Sequence, residues 1–331
     1  MRKLVLGLTL GLAAIPLVAY AAITYGSMAS ASLGQGASLN GAVPFPADNA
    51  WNTDISQAPV DPNSDAILAT IAIGNGLHPD FGKGTYAGAI IGIPYYVVAG
   101  SQPKVKVKYT WYGDQSDKGP MPIPANALIE GYKPNGKPFS GDRHLLVIDR
   151  DDNLLYELYN AKLKDDGTWS AASGAIFHLD SNNVRPTQKN NWTSADAAGL
   201  PIFPGLARYD EVAAGVIPHA LRFTVENTRK AYIRPANHWA SDDTNPNLPP
   251  MGMRVRLKAS YVIPADFDKQ TKVILKALKT YGMMIADNGS NWYISGAPDE
   301  RWKNDKLVSE LREVTRGNFE VVKMGKIYKP K

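Results

Sequence analysis

Short apolar runs broken by glycine and proline recur along the whole chain, and this punctuation most restricts its fold. The 331 residues include 29 Gly and 24 Pro, a density that implies many turns and few long helices. Residues 90–98 form a near-continuous apolar run, as a buried strand does. Val105, Val107, Tyr109 and Trp111 alternate with Lys106, Lys108 and Thr110, the pattern of a half-buried strand with a basic outer face. Residues 144–148 and 154–159 read as a hairpin, and a two- or four-residue turn would set His144 and Glu157 on one face. Further strands are expected at 220–225, 229–233, 253–261 and 319–322. Residues 283–286 and 292–295 are expected to pair around an Asp287-Asn288-Gly289-Ser290 turn.

Three segments have helical character. Residues 65–71 suit a short helix. A longer one starts near Asp266 or Asp268, with Val273, Ile274, Ala277, Leu278 and Tyr281 as its stripe and Gly282 as its stop. A third covers residues 305–314. No βα alternation or repeat is visible. The expected fold is mainly β: a single-domain antiparallel β-sandwich or barrel-like fold over residues 43–331, with long loops and two or three peripheral helices.

The N-terminus carries an address. Arg2 and Lys3 precede an apolar run to Ile23, and Ala19-Tyr20-Ala21 has the small-x-small form of a signal-peptidase site. Residues 1–21 are therefore expected to be a cleaved signal and 22–42 a flexible linker, with the protein secreted or periplasmic. An uncleaved anchor is the alternative, since about 20 apolar residues suffice to span a bilayer; a membrane enters only in that case.

The formal charge is +5, and Arg2 and Lys3 account for two of those positives, which leaves about +3. The charges are interspersed, without the concentrated basic face of a nucleic-acid binder, so no nucleic-acid partner is expected. Cysteine is absent, which removes disulfides, thiolate metal sites and cysteine nucleophiles. P-loop, G-x-S-x-G, H-E-x-x-H and EF-hand patterns are also missing.

The remaining candidates are polar side chains at strand ends and in loops, where a β protein carries its function. Glu157 sits among apolar and aromatic neighbours in residues 154–159; in a cleft, desolvation would raise its pKa as a general acid needs. Asp196 lies in a dense local pattern over residues 192–201. There Ser194 or Thr193 also serves as a cap for one helical turn ended by Gly199. Asp287 closes an apolar strand, and turn chemistry alone explains it too. His144, His219 and His238 stand beside strands or loops, and Arg143, Arg208 and Trp192 are placed to line a cleft. Residues 208–211 read either as a second acidic site or as a capped turn with an Arg ion pair. Trp111, Tyr112, Trp169, Trp192, Trp239 and Trp292 offer faces on which sugars stack, with core packing as the alternative for each.

Residues 45–52, 192–201, 205–212, 219–224, 248–252 and 281–289, taken together, resemble a family of uncharacterised secreted bacterial proteins. The resemblance covers most of the chain after residue 43. It implies export and a single domain, and it contributes no catalytic residue.

Paired carboxylates with nearby aromatics are what glycosidic hydrolysis requires. The leading expectation is a secreted glycoside hydrolase acting on a polysaccharide or oligosaccharide. Glu157 and Asp196 form its acid pair with Asp287 as substitute, and no cofactor or metal is needed. One alternative is a non-catalytic carbohydrate-binding or cell-surface structural protein. A second is a metalloenzyme built from His144, His219 and Glu157.

Overall fold

The computed structural model describes residues 22–329 apart from 73, 75, 136, 138–140 and 188–190. The expected signal segment, residues 1–21, lies outside the described residues. No helix among those described is long and apolar enough to cross a membrane.

The protein is mainly β, with 25% strand and 14% helix. Its two largest sheets enclose one core. The first has five strands in the order Ser173–His178, Leu154–Tyr159, Leu145–Asp149, Tyr95–Val98 and Gly34–Gln35. The second has six: Phe319–Val321, Arg254–Leu257, Met283–Asn288, Leu221–Val225, Tyr293–Ser295 and His78–Asp80. Leu146, Ile148 and Leu155 of the first sheet and Phe223, Val255 and Ile285 of the second belong to one continuous buried cluster. The opposite face of the first sheet buries a smaller cluster that includes Val147, Tyr156 and Leu158. With apolar cover on both faces, this sheet shows continuous apolar runs in place of clean alternation.

The expected antiparallel sandwich or barrel is corrected in two respects. The sheets are mixed: Tyr95–Val98 runs parallel to Leu145–Asp149, and Leu221–Val225 runs parallel to Met283–Asn288. They do not close into a barrel. The expected 283–286/292–295 pair is also absent, because Leu221–Val225 inserts between those strands. The Asp287–Ser290 turn signal is local, whereas the inserted strand comes from some 60 residues away and out-competes the local pairing.

Four α-helices are present among the described residues: α1 (Ser64–Thr70), α2 (Tyr209–Ala214), α3 (Lys269–Thr280) and α4 (Asn304–Arg312). The Asp268 side chain accepts the Gln270 amide at the start of α3, and Val273, Ile274, Ala277 and Leu278 are its buried stripe. Residues 22–42, expected as a linker, are instead part of the body. Thr24–Tyr25 pairs in parallel with Ala42–Val43, and Met28, Ala31 and Leu39 are buried.

Candidate functional site

The ends of the two sheets face each other across a loop, and a cavity of about 500 Å³ opens there. The first sheet contributes Tyr159 and Ser173, and the second contributes Asp287 and Asn288. The loop over residues 193–197 forms the floor, and residues 238–242 form a wall. Local chemistry holds the loop in place. Ser194 Oγ accepts the Asp196 amide at 2.9 Å and reaches the Leu200 carbonyl at 2.6 Å. Ser173 Oγ donates to the Ser194 carbonyl at 2.8 Å. This is a hydroxyl-braced bend, not the expected helical turn. Gly199 is required at its end: φ is +71°, and a Cβ would fall 2.3 Å from Asn237 Oδ1.

A β-bulge ties the loop to the second sheet. The Leu221–Val225 ladder shifts between Phe223, opposite Ile285, and Thr224, opposite Asp287, so Ala286 is an extra residue. Its carbonyl accepts the Ala198 amide at 2.9 Å. The bulge thus docks the loop and displaces Asp287 one place along the ladder, a role bulges often play beside binding sites.

Beneath the floor lies a buried ionic layer. Asp196 is 1% exposed, and Arg222 clamps it with Nε at 3.0 Å and Nη2 at 2.8 Å. Arg222 Nη1 also donates to Ser295 Oγ at 2.5 Å. Burial works against the guanidinium charge, but the Asp196 carboxylate outweighs it and holds the Arg222 pKa above its ordinary value. Next to this pair, His144 donates from Nδ1 to Glu130 Oε2 at 2.5 Å and from Nε2 to the Ala195 carbonyl at 3.2 Å. Burial pushes the imidazole pKa down, yet the Glu130 carboxylate overcomes this and raises it to about 9. His144 is therefore an imidazolium at neutral pH, with both ring protons bound.

The groups on the cavity surface differ in kind. Asp287 is half-buried and bonds its own neighbour, accepting the Asn288 amide at 2.7 Å through Oδ1. Burial, reinforced by Asp196 and opposed by Arg222, lifts its pKa to about 7. Asp142 is exposed at the rim. The Tyr159 phenol lies between them: burial raises its pKa, and Asp142 and Asp287 raise it further. His238 donates from Nδ1 to the Ala197 carbonyl at 2.9 Å, and burial lowers its pKa. Its neutral ring stacks on Trp239, with centroids 5.2 Å apart and planes 12° from parallel. Tyr112 completes the aromatic surface.

The sequence-based candidates thus separate. Asp196, Asp287 and His238 line one cavity, and His144 lies directly behind its floor. Glu157 does not reach it, and its expected place in a cleft is corrected. It is fully buried, and its carboxylate accepts the Ile202 and Phe203 amides at 2.9 Å. Burial does raise its pKa, to about 7. The hairpin register confirms that Glu157 shares a face with His144, since Leu158 pairs with Leu145. That face turns into the core, which supplies backbone amides in place of solvent.

Arg208 and His219 belong elsewhere, around Glu211. Arg208 pairs with the Glu211 carboxylate, and His219 Nε2 lies 3.1 Å from it. The 208–211 segment is therefore the start of α2 with a buried Arg ion pair. Arg143 is engaged by the Asn160 side chain. Trp192 lies under the Arg185 guanidinium, 5.2 Å from its ring centroid. The metal trio of His144, His219 and Glu157 does not assemble, and no group of three or more metal-ligating side chains is found among the described residues. Trp169 and Trp292 are core residues.

Glu130, Asp142, Tyr159 and Arg222 escaped sequence reasoning as site residues. An arginine inside the apolar run Leu221-Arg222-Phe223 was a readable signal, because a buried guanidinium requires a carboxylate. Glu130, in a Pro/Gly-rich loop, carried none. No protein-family model, no curated protein and no solved structure matches this chain.

Proposed function

We propose that the cavity binds a carbohydrate chain outside the cytoplasm and hydrolyses a glycosidic bond, with Asp287 as the proton donor and Asp142 as the second carboxyl. One observation carries this reading. Asp287 holds its proton up to about pH 7 while lining an open polar cavity. A general acid working near neutral pH needs that property. Tyr112, Trp239 and the His238 ring supply apolar faces for sugar rings, and Ser and Asp side chains supply partners for hydroxyls. Glu157 and Asp196 are assigned structural roles: one organises backbone amides, and the other neutralises Arg222.

The reading is tested by turnover of a glycan panel by the wild type, Asp287→Asn and Asp142→Asn. Asp287→Asn is expected to lower kcat at least ~100-fold while the protein stays folded. Wild-type turnover should fall as pH rises through about 7, where the acid loses its proton. Undiminished turnover in folded Asp287→Asn rejects the assignment. Glycan binding without turnover in the wild type selects the non-catalytic binding role, which the same aromatic lining supports.

A further inference from the structure

A second hollow, of about 630 Å³, adjoins the first, and Asn288 lines both. Its walls include His78, Glu226, Tyr293 and Arg312. Their placement follows from the sequence. His78–Asp80 pairs in parallel with Tyr293–Ser295, so His78 stands opposite Tyr293, and their rings lie 4.2 Å apart. Gly76 packs directly against the end of α4. Its φ is +77°, and a Cβ there would lie 2.2 Å from the Arg312 carbonyl oxygen. This contact sets Arg312, the last residue of α4, at the mouth of the hollow.

The Asn288 and Asn291 side chains of this hollow are engaged with Thr228 and Glu226, whereas Arg312 and His78 are not so committed. Arg312 is exposed and has no carboxylate partner among the described residues, and neither ring nitrogen of the half-buried His78 has a hydrogen-bond partner there, its backbone amide donating to the Trp292 carbonyl at 2.9 Å. Burial, and after it the Arg312 charge, lower the His78 pKa, so its ring nitrogens offer one N–H and one lone pair. Glu226, the one carboxylate in the lining among the described residues, is 3.5 Å from the Asn291 amide nitrogen. Trp292, between Asn291 and Tyr293, has φ +64° although it is a bulky residue. Such backbone strain concentrates where a loop is held for binding.

We propose that this hollow is an accessory subsite for an acidic sugar unit, one bearing a carboxylate, of the chain whose glycosidic bond lies at Asp287. Arg312 and His78 receive the carboxylate, the Tyr293 ring supports the sugar face, and Glu226 and Asn291 bind hydroxyls. The inference rests on the carbohydrate reading above and adds the substrate class: acidic polysaccharide, not neutral.

Binding to the full chain carrying Asp287→Asn, chosen for its expected slow turnover, is measured by calorimetry with a uronic-acid oligosaccharide and a neutral oligosaccharide of equal length. The acidic oligomer should bind at least tenfold tighter, and Arg312→Gln should abolish that preference. The preference should also weaken as salt rises. Equal affinity for the two oligomers, or a preference that survives Arg312→Gln, overturns the subsite but leaves the carbohydrate reading standing. Failure of both oligomers to bind, together with no turnover of any glycan by the wild type, overturns both. His78→Ala gives a second variant: a preference unaltered by it also counts against the subsite.

Discussion

Two buried-to-surface carboxyls, Asp287 and Glu157, have pKa values raised to about 7, yet only one can meet a substrate. The difference is in their partners. Glu157 has spent both oxygens on backbone amides, whereas Asp287, among the described residues, accepts only the neighbouring Asn288 amide and lines the cavity. Desolvation alone therefore does not identify an acid catalyst; an accessible oxygen is needed as well. The raised value also links Asp287 to stability. The native carboxyl binds its proton more tightly than the unfolded one. Its favourable contribution is complete below the unfolded value near 4 and is lost as pH rises through about 7. Asp287→Asn removes this loss, so its melting temperature relative to wild type should climb between pH 4 and pH 8. A difference that stays constant over that range, followed by calorimetry, contradicts the assignment. Glu157 has the same sign but remains in the variant, so its contribution cancels in the difference between the two proteins.

At the scale of elements, the hairpin of the first sheet and the short turn over residues 202–205 are joined through one carboxylate. Glu157 is the acceptor for the Ile202 and Phe203 amides, which begin that turn and have no other acceptor. Glu157→Ala should cost roughly 2–4 kcal/mol in chemical denaturation, since it strands buried donors and leaves a void. Glu157→Gln retains an acceptor and should cost less. Glycan turnover in folded Glu157→Gln is expected to stay within a few-fold of wild type, and a loss like that of Asp287→Asn would return Glu157 to the catalytic set. The elements themselves were largely legible in the chain. Apolar spacing and capping signals place α1, α3 and α4 within three residues of their observed ends. Local patterns also located the 145–149/154–159 hairpin and its parity. Strand neighbours were not legible: the pairing of Leu221–Val225 with both Met283–Asn288 and Tyr293–Ser295 joins segments far apart in sequence.

Across the whole molecule, residues 22–42 complete the core. Met28 and Ala31 are fully buried, and Asn153 of the first-sheet hairpin donates to the Gly26 carbonyl at 2.8 Å and accepts the Met28 amide at 2.9 Å. A chain starting at residue 43 should melt well below the full protein, because loss of one buried Met side chain alone costs about 2–5 kcal/mol. Equal melting temperatures for the two chains would show that the segment is dispensable. The sequence by itself determined the β-rich class, three of the four α-helices described, about half of the strands, and the polar residues from which a site could be drawn. These are properties of short windows, set by side-chain periodicity, capping and turn chemistry. Tertiary structure alone decided which of those polar residues share a cavity, which are consumed by the core, and which strands run parallel. Those outcomes depend on what covers each face of a sheet, and the covering groups come from chain too distant for any local pattern to encode.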